Sequence, residues 1–208
     1  MIGAVSLAGG DLSEPVTQAT LQITKVFWAL DSSLAYARHF PAIAWLKSYS
    51  LYQEPMDKYM RKYVHRKFAL YRKQAMILLQ QEQSLLEIVQ LIGKDTLGDD
   101  DLLKLEVARM LREDFLSQNA FQSEDSYTPL KKQIALLALL MEFYHSAHEA
   151  LSQDHIYVAD LLNIEGLKQV SRIKYWPSSD IKAIDQLTET LKADIDALKE
   201  KGDDNERV

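Results

Sequence analysis

The stretch from Leu85 to Phe121 constrains the fold more than any other part of the sequence, because it contains two helical patterns separated by a short turn. Apolar residues recur at three- and four-residue spacing up to Ile92, which is the spacing of an amphipathic helix. Gly93 ends this pattern, since glycine commonly follows the last residue of a helix, and a second apolar face begins at Leu102. The stretch therefore predicts a helix, a turn and a second helix.

The turn between these two predicted helices is acidic. Four carboxylates lie within seven residues, and the last three occupy positions where a helix N-terminus favours negative charge. Because one carboxylate is enough to cap a helix, the others have two interpretations: a solvated turn, or a surface that meets a basic partner. The turn consists of Asp95, Thr96, Leu97, Gly98, Asp99, Asp100 and Asp101.

Composition favours a mainly α-helical globular chain. The 208 residues include only seven Gly and five Pro, with 47% hydrophobic and 26% charged residues. The absence of Cys from the sequence excludes disulfides and thiolate zinc sites. The formal charge of −6 argues against a general nucleic-acid binder, and no apolar run approaches the ~20 residues of a membrane helix. We therefore expect no nucleic-acid partner and no membrane insertion.

The first fifty residues have a different pattern from the rest. Ile2–Ser6 is a short apolar run that predicts a strand, and Leu21–Leu30 is rich enough in β-branched and aromatic residues to predict a buried strand. Asp31 is a suitable N-cap for a short helix. The Phe40-Pro41 step ends that helix, because proline disfavours the helical region for the residue before it.

Two segments resemble the catalytic A (alpha) subunit of the V-type and archaeal-type (A-type) rotary ATPases. In the first, the motifs GGD, SEPVTQ, FW-x-LD, RHFPAI and WL-x-SYS match the end of the family's nucleotide-binding domain. In the second, EVARMLREDFLSQNAF follows the acidic turn as it does in the family's C-terminal domain. The resemblance implies a mainly α fold, with a short α/β remnant of the nucleotide-binding domain at residues 1–53. A C-terminal helical bundle would follow at residues 54–208, with the acidic helix-turn-helix at residues 85–121.

The same resemblance implies a function and a set of site residues. The family holds ATP or ADP with magnesium between A and B subunits, and it couples ATP hydrolysis or synthesis to proton or sodium transport. On this basis Phe40, Ala120 and Phe121 form the adenine pocket, and residues 95–101 contact the central stalk. The implied partners are the B subunits and the central stalk subunits. The implied location is cytoplasmic, peripheral on the membrane as part of the ATPase head.

The chain lacks the motif that nucleotide hydrolysis requires. A phosphate-binding loop has the pattern G-x-x-x-x-G-K-[ST], whereas Gly93 and Lys94 are followed by Asp95, and Gly9-Gly10 has no lysine after it. We therefore expect no catalytic residue in this chain. The chain alone should neither hydrolyse ATP nor hold nucleotide tightly.

A metal site is not expected either. Glu142 and His145 have the spacing of the carboxylate-histidine motif found in di-metal helical bundles. Such a site needs the motif twice, and the sequence contains no second copy.

Two other functions are compatible with the sequence. A stand-alone helical protein–protein interaction module without catalysis predicts that Phe40 and Phe121 are buried. An RNA-binding module would use the stretch from Lys58 to Lys73, where basic residues alternate with aromatic ones. The simpler interpretation of that stretch is a solvated helix whose tyrosines pack inward.

Overall fold

The computed structural model describes residues 2–6, 13–153 and 156–205, with residues 201–205 described as backbone only. Within these ranges the α-helices are α1 (Pro15–Ile23), α2 (Ser32–Tyr36), α3 (Gln53–Tyr63), α4 (Phe68–Ile92), α5 (Asp99–Met110), α6 (Ser123–Ser126), α7 (Leu130–Ala150), α8 (Val158–Leu162) and α9 (Ile181–Asn205). Two 3-10 segments, Lys94–Thr96 and Glu165–Tyr175, and a π-helical segment, Leu111–Leu116, lie between them. The predicted mainly α fold with a short α/β part at the N-terminus is confirmed.

Helix α7 lies at the centre of the bundle and packs against α4, α5 and α9. Its sequence predicts an apolar face, and Ile134, Leu137 and Met141 are indeed buried, while Tyr144 is half-buried. Burial of a large aliphatic side chain contributes about 1.5–3 kcal/mol to folding, so this face is the main source of stability for the C-terminal part.

The predicted helix-turn-helix is present and begins with the long helix α4. Gly93 follows its last residue with φ 91° and ψ 158°, a conformation that is open to glycine and strained for other residues. Helix α5 then begins after Gly98 and packs against α4. The joint predicted between two helices near residues 63–65 is also present, because α3 ends at Tyr63 and α4 begins at Phe68.

The strand predicted over Leu21–Leu30 is wrong for most of its length. Helix α1 extends from Pro15, which suits the first turn of a helix, to Ile23. Within this range Val26–Phe27 (β1) pair with an antiparallel partner, Tyr49–Ser50 (β2), and Leu30 forms an isolated antiparallel bridge with Ile43. Ile2–Ser6 has no regular structure, and the Gly9-Gly10 step lies outside the described residues.

The short helix after this strand begins as predicted. The Asp31 carboxylate accepts a hydrogen bond of 2.8 Å from the Ser33 amide, which is the N-cap interaction. Hydrogen bonds from the Ser33 side chain and backbone hold the pKa of Asp31 below its ordinary value. This cap fixes the direction of α2, which leads into the loop that carries Phe40.

Candidate nucleotide and partner sites

The loop that carries Phe40 is joined to the loop that carries Phe121. The Gln118 amide donates a hydrogen bond of 2.6 Å to the Phe40 carbonyl oxygen. The Nε2 atom of His39 lies 2.8 Å from the Arg112 carbonyl oxygen, and Nε2 must carry the hydrogen because a carbonyl can only accept. The structure thus brings together two of the regions to which the family resemblance assigns the adenine pocket.

His39 is largely buried and forms the anchor of the first loop. Its side chain is 9% exposed and its ring lies 5.4 Å from the Trp45 ring, centroid to centroid. Because the imidazole is held on one side by a ring and on the other by a carbonyl, the backbone of the neighbouring residue Phe40 has little freedom. Phe40 itself is 51% exposed.

The carbonyl that holds His39 belongs to the π-helical segment at the end of α5. The same Arg112 oxygen accepts a hydrogen bond of 3.1 Å from the Ser117 amide, which closes the five-residue π turn. The Arg112 guanidinium pairs with the buried Glu82 carboxylate of α4. Through Arg112, the first loop is therefore coupled to α4 and α5 together.

A buried carboxylate shapes the second loop. Asp125 is 3% exposed, and its Oδ2 accepts a hydrogen bond of 2.6 Å from the Asn119 amide. The Asn119 side-chain oxygen accepts a 3.0 Å bond from the Phe121 amide. These bonds fix the backbone on both sides of Ala120, and both Ala120 and Phe121 project to solvent, with Phe121 97% exposed.

Lys132 of α7 anchors the end of the 3-10 segment Glu165–Tyr175 and also reaches Glu124, just after the second loop. The side chain is 1% exposed and donates to the carbonyl oxygens of Lys174 (2.8 Å), Trp176 (2.7 Å) and Glu124 (3.4 Å). Three acceptors match the three N–H groups of an ammonium. Burial lowers the pKa of Lys132, although the nearby Glu124 and Asp125 carboxylates oppose that shift.

The arrangement of the two loops offers aromatic surface rather than catalytic groups. Phe40 and Phe121 are exposed, so the burial that a stand-alone interaction module predicts is wrong. An exposed ring held on a fixed backbone can stack on the face of a nucleobase. Ala120, beside Phe121, is exposed as well.

The acidic residues of the turn have different surroundings from one another. None of the carboxylates caps α5, whose N-cap is Gly98. Instead, Asp99 Oδ2 accepts a 3.1 Å hydrogen bond from the Val158 amide, the first amide of α8. Asp99 therefore joins the start of α5 to the start of α8, and the expectation that one of these carboxylates caps α5 is wrong.

The next two carboxylates are also engaged within the chain. Asp100 lies 2.8 Å from His148 Nδ1 of α7 and 2.7 Å from Lys104 Nζ, and Asp101 lies 2.8 Å from the same ammonium. Burial alone would raise the pKa of Asp100, but the hydrogen bond and the charge of Lys104 hold it below its ordinary value. The contact from Asp100 to His148 thus joins α5 to α7, whereas the two contacts to Lys104 lie within α5.

The tip of the turn is the part that stays exposed to solvent. Asp95, Thr96 and Gly98 are exposed, and Leu97 is half-buried. The last residues of α4 add apolar surface beside this tip, since Leu91 is 83% exposed and Ile92 is 63% exposed. A partner would therefore meet one free carboxylate and an apolar edge rather than a continuous acidic surface.

The Glu142 carboxylate, which belongs to the carboxylate-histidine motif, is bound by basic and phenolic side chains of this chain. Glu142 accepts from Lys67 (2.7 Å) and from the Tyr71 hydroxyl, and Lys192 lies 3.3 Å away. Burial opposes ionisation, but these bonds bring the pKa of Glu142 down to about 2. Among the described residues, no group of three or more His, Asp or Glu side chains is arranged to hold a metal ion.

Two family models match the chain, one on each side of the start of α3. Residues 1–50 match the nucleotide-binding domain of the ATP synthase alpha/beta family, and residues 57–159 match the C-terminal domain of V and A type ATP synthase. The chain belongs to the V- and A-type ATP synthase family. This match agrees with the resemblance carried by the RHFPAI and REDFLSQNAF motifs. None of the helices in the described ranges has the length and apolar character needed to cross a membrane.

Curated members of the V- and A-type ATP synthase family are similar over nearly the whole chain. The V-type ATP synthase alpha chain 1 of Clostridium tetani (strain Massachusetts / E88) is 51% identical over 201 residues, which are 97% of this chain and 34% of the relative. The V-type ATP synthase alpha chains of Clostridioides difficile (strain 630) and Clostridium botulinum (strain Langeland / NCTC 10281 / Type F) are 51% and 52% identical, with the same two shares. The chain thus spans about a third of the length of the relatives it matches.

Several residues that shape this site were missed by sequence reasoning. His39 lies within the RHFPAI motif, next to a predicted site residue, and this adjacency is a signal that could have identified it. Lys132, Arg112 and Glu82 gave no such signal, because charged residues on amphipathic helices are ordinarily solvent-exposed. Their partners are distant in sequence and are brought near only by helix packing.

Proposed function

We propose that this chain is the C-terminal part of the catalytic A (alpha) subunit of a V/A-type ATP synthase. In the complete subunit it contributes the adenine end of a site for ATP or ADP with magnesium. The subunit works with B subunits in an assembly that couples ATP hydrolysis or synthesis to proton or sodium transport. The single observation that best supports this proposal is the hydrogen bond from the Gln118 amide to the Phe40 carbonyl, which joins the two loops with both aromatic rings left exposed.

The adenine pocket in this proposal consists of Phe40, Ala120 and Phe121. Stacking of an aromatic side chain on a base contributes about 1–3 kcal/mol per ring. Removing one ring should therefore weaken nucleotide binding by about tenfold. The bonds of His39 and Asp125 would let the protein present both rings without ordering the loops when nucleotide arrives.

The test uses the full-length subunit assembled with its B subunits. Phe121→Ala is expected to raise the KM for ATP about tenfold with a smaller effect on kcat, since stacking acts on binding. Tyr127→Ala is the matched control, because Tyr127 is 87% exposed in the same region and is assigned no contact with nucleotide. Equal KM values for the two variants would remove Phe121 from the pocket.

We also propose that residues 95–101 contact the central stalk. Helix α5 and its π-helical continuation extend from Asp99 to Leu116, which is about 27 Å at 1.5 Å per residue. Phe121 follows shortly after this segment, so a nucleotide bound against Phe121 would push on the same helix whose other end carries the turn. The exposed tip and the apolar edge formed by Leu91 and Ile92 support a protein contact there.

The stalk contact can be tested without disturbing the bundle. Asp95→Ala should lower the number of ions moved per ATP hydrolysed in the assembled enzyme, because Asp95 is exposed on the tip of the turn. Asp99→Ala is unsuitable as a probe of the stalk, since it also breaks the bond to Val158. A full coupling ratio in Asp95→Ala would indicate that the turn acts only within the chain.

Three further parts of the proposal follow from the same family assignment. The division between residues 1–53 and 54–208 is supported by the gap between the two matched family models. The phosphate-binding loop belongs to the part of the relatives that this chain does not span, so the isolated chain should show no ATPase activity. The assembled subunit would be cytoplasmic and peripheral on the membrane, as part of the ATPase head.

A further inference from the structure

Four basic side chains surround one open cavity on the surface of α3 and the joint that follows it. Lys58, Arg61, Lys62 and Arg66 line this cavity, whose volume is about 440 Å³. All four are exposed. We call these four residues the basic patch.

Most of the positive charge of the basic patch is not neutralised within the chain. Lys58 pairs with Glu54 at 2.8 Å. In the part of the chain that the structure describes, no carboxylate oxygen lies within 4.0 Å of the side-chain nitrogens of Arg61, Lys62 or Arg66. By contrast, the charge of the nearby Arg72 is neutralised within the chain, because its guanidinium pairs with the Asp57 carboxylate at 2.8 Å.

The uncompensated charges repel one another. Arg61 and Lys62 are adjacent in α3 and Arg66 follows four positions after Lys62, so their charges lie close together, whereas the charge of Lys58 is offset by Glu54. An anionic group placed in the cavity would remove this repulsion, so the geometry favours an acidic ligand.

Exposed aromatic surface adjoins the basic patch. Tyr59 and Tyr63 were expected to pack inward, as Tyr71 does, but they are 53% and 61% exposed. Their ring centroids are 4.9 Å apart, and the Lys62 ammonium lies 5.0 Å from the Tyr63 ring. Tyr and Arg are the residues most often found at the energetic centres of protein–protein interfaces.

We propose that the basic patch is a docking surface for an acidic segment of another protein. The partner would place carboxylates in the cavity and pack apolar or aromatic side chains on Tyr59 and Tyr63. This inference goes beyond the proposed function, because it uses neither the adenine pocket nor the acidic turn.

A protein partner fits the surface better than a nucleic acid does. Nucleic-acid binding uses an extended basic stripe, whereas the basic patch covers nine positions and ends at Glu54 and Asp57 on its N-terminal side. The chain also carries a formal charge of −6, which repels a long phosphate backbone but does not prevent contact with a short acidic segment.

The test compares one triple variant with a matched triple variant in the full 208-residue chain. The patch variant is Arg61→Gln, Lys62→Gln and Arg66→Gln. The control is Lys131→Gln, Arg172→Gln and Lys182→Gln, which removes the same charge from exposed positions elsewhere. Circular dichroism and thermal unfolding first establish that both variants are folded.

The probe is a fluorescein-labelled peptide of alternating Glu and Ala with Tyr at its centre, and binding is measured by fluorescence anisotropy. Salt is varied between about 0.01 M and about 0.15 M, over which the Debye length falls from about 30 Å to about 8 Å. We expect wild-type binding that weakens with salt, a loss of at least about tenfold in the patch variant, and no more than about twofold in the control.

Two sets of results would overturn the proposal. Equal peptide binding by the patch variant and the control would show that the basic patch is not the docking surface, and absence of peptide binding by the wild type would show the same. Labelled single-stranded RNA and vesicles containing phosphatidylserine are tested in parallel. Patch-dependent binding of either one, without patch-dependent binding of the peptide, would replace the acidic protein segment with that other class of ligand.

Discussion

Replacement of Lys132 by methionine is the most direct test of how the 3-10 segment Glu165–Tyr175 is held against α7. Methionine keeps the unbranched shape of the buried stem but removes all three N–H donors. The carbonyl oxygens of Lys174 and Trp176 then lose bonds of 2.8 Å and 2.7 Å in a site where the side chain is only 1% exposed. The third bond, to Glu124 at 3.4 Å, is long and contributes little.

The expected loss of stability in Lys132→Met follows from the two short hydrogen bonds. A hydrogen bond to a charged group contributes about 1.5–3 kcal/mol, and methionine recovers part of this because no charge has to be buried. We therefore expect the free energy of unfolding of Lys132→Met to fall by about 3 kcal/mol. For a chain of this size that corresponds to a decrease in Tm of about 6–12 °C.

The measurement is urea and thermal unfolding, with hydrogen exchange of residues 165–176 as a local readout. Lys131→Met is the matched control, because Lys131 is the preceding residue on the same helix and is exposed. Lys131→Met should lower the free energy of unfolding by less than about 0.5 kcal/mol. If the two variants lost the same stability, or if exchange in residues 165–176 did not accelerate in Lys132→Met, the anchoring role of Lys132 would be refuted.

Three further predictions concern other contacts. The Glu142 carboxylate has a pKa of about 2 against 4.5 for a free glutamate, so its stabilising effect should be complete above about pH 4.5 and lost as pH falls toward 2. The stability difference between wild type and Glu142→Gln, measured by urea unfolding from pH 7 downward, should accordingly shrink across that window, and a constant difference would contradict this. Gly93→Ala should cost about 1–3 kcal/mol because its φ of 91° is strained for alanine, whereas Gly98→Ala, at φ −71°, should cost less in the same assay. Asp99→Ala should lower the free energy of unfolding by about 1 kcal/mol through loss of the bond to α8, whereas Asp95→Ala should leave it unchanged; equal losses would place the role of Asp99 elsewhere.

The sequence was sufficient to predict where a helix begins or ends when the boundary depends on residues within one short segment. The end of α4 at Gly93, the start of α5 near Asp99 and the cap of α2 by Asp31 could each be predicted, because each depends on residues within one turn. The strand over Leu21–Leu30 could not be predicted correctly. A strand is stable only with a partner, and in this range the structure supplies one for Val26–Phe27 and a single bridge for Leu30.

The sequence by itself determined the helical class, the helix-turn-helix and the family, since these rest on periodicity and on motifs that are contiguous in the chain. Only the tertiary structure decided what the charged residues do. Asp99 reaches a helix 59 positions away and His39 a carbonyl 73 positions away, while Lys132 is buried although the neighbouring Lys131 is exposed. Hydrogen bonds of this kind depend on distance in space, and residues that are far apart in sequence acquire that proximity only when the helices pack.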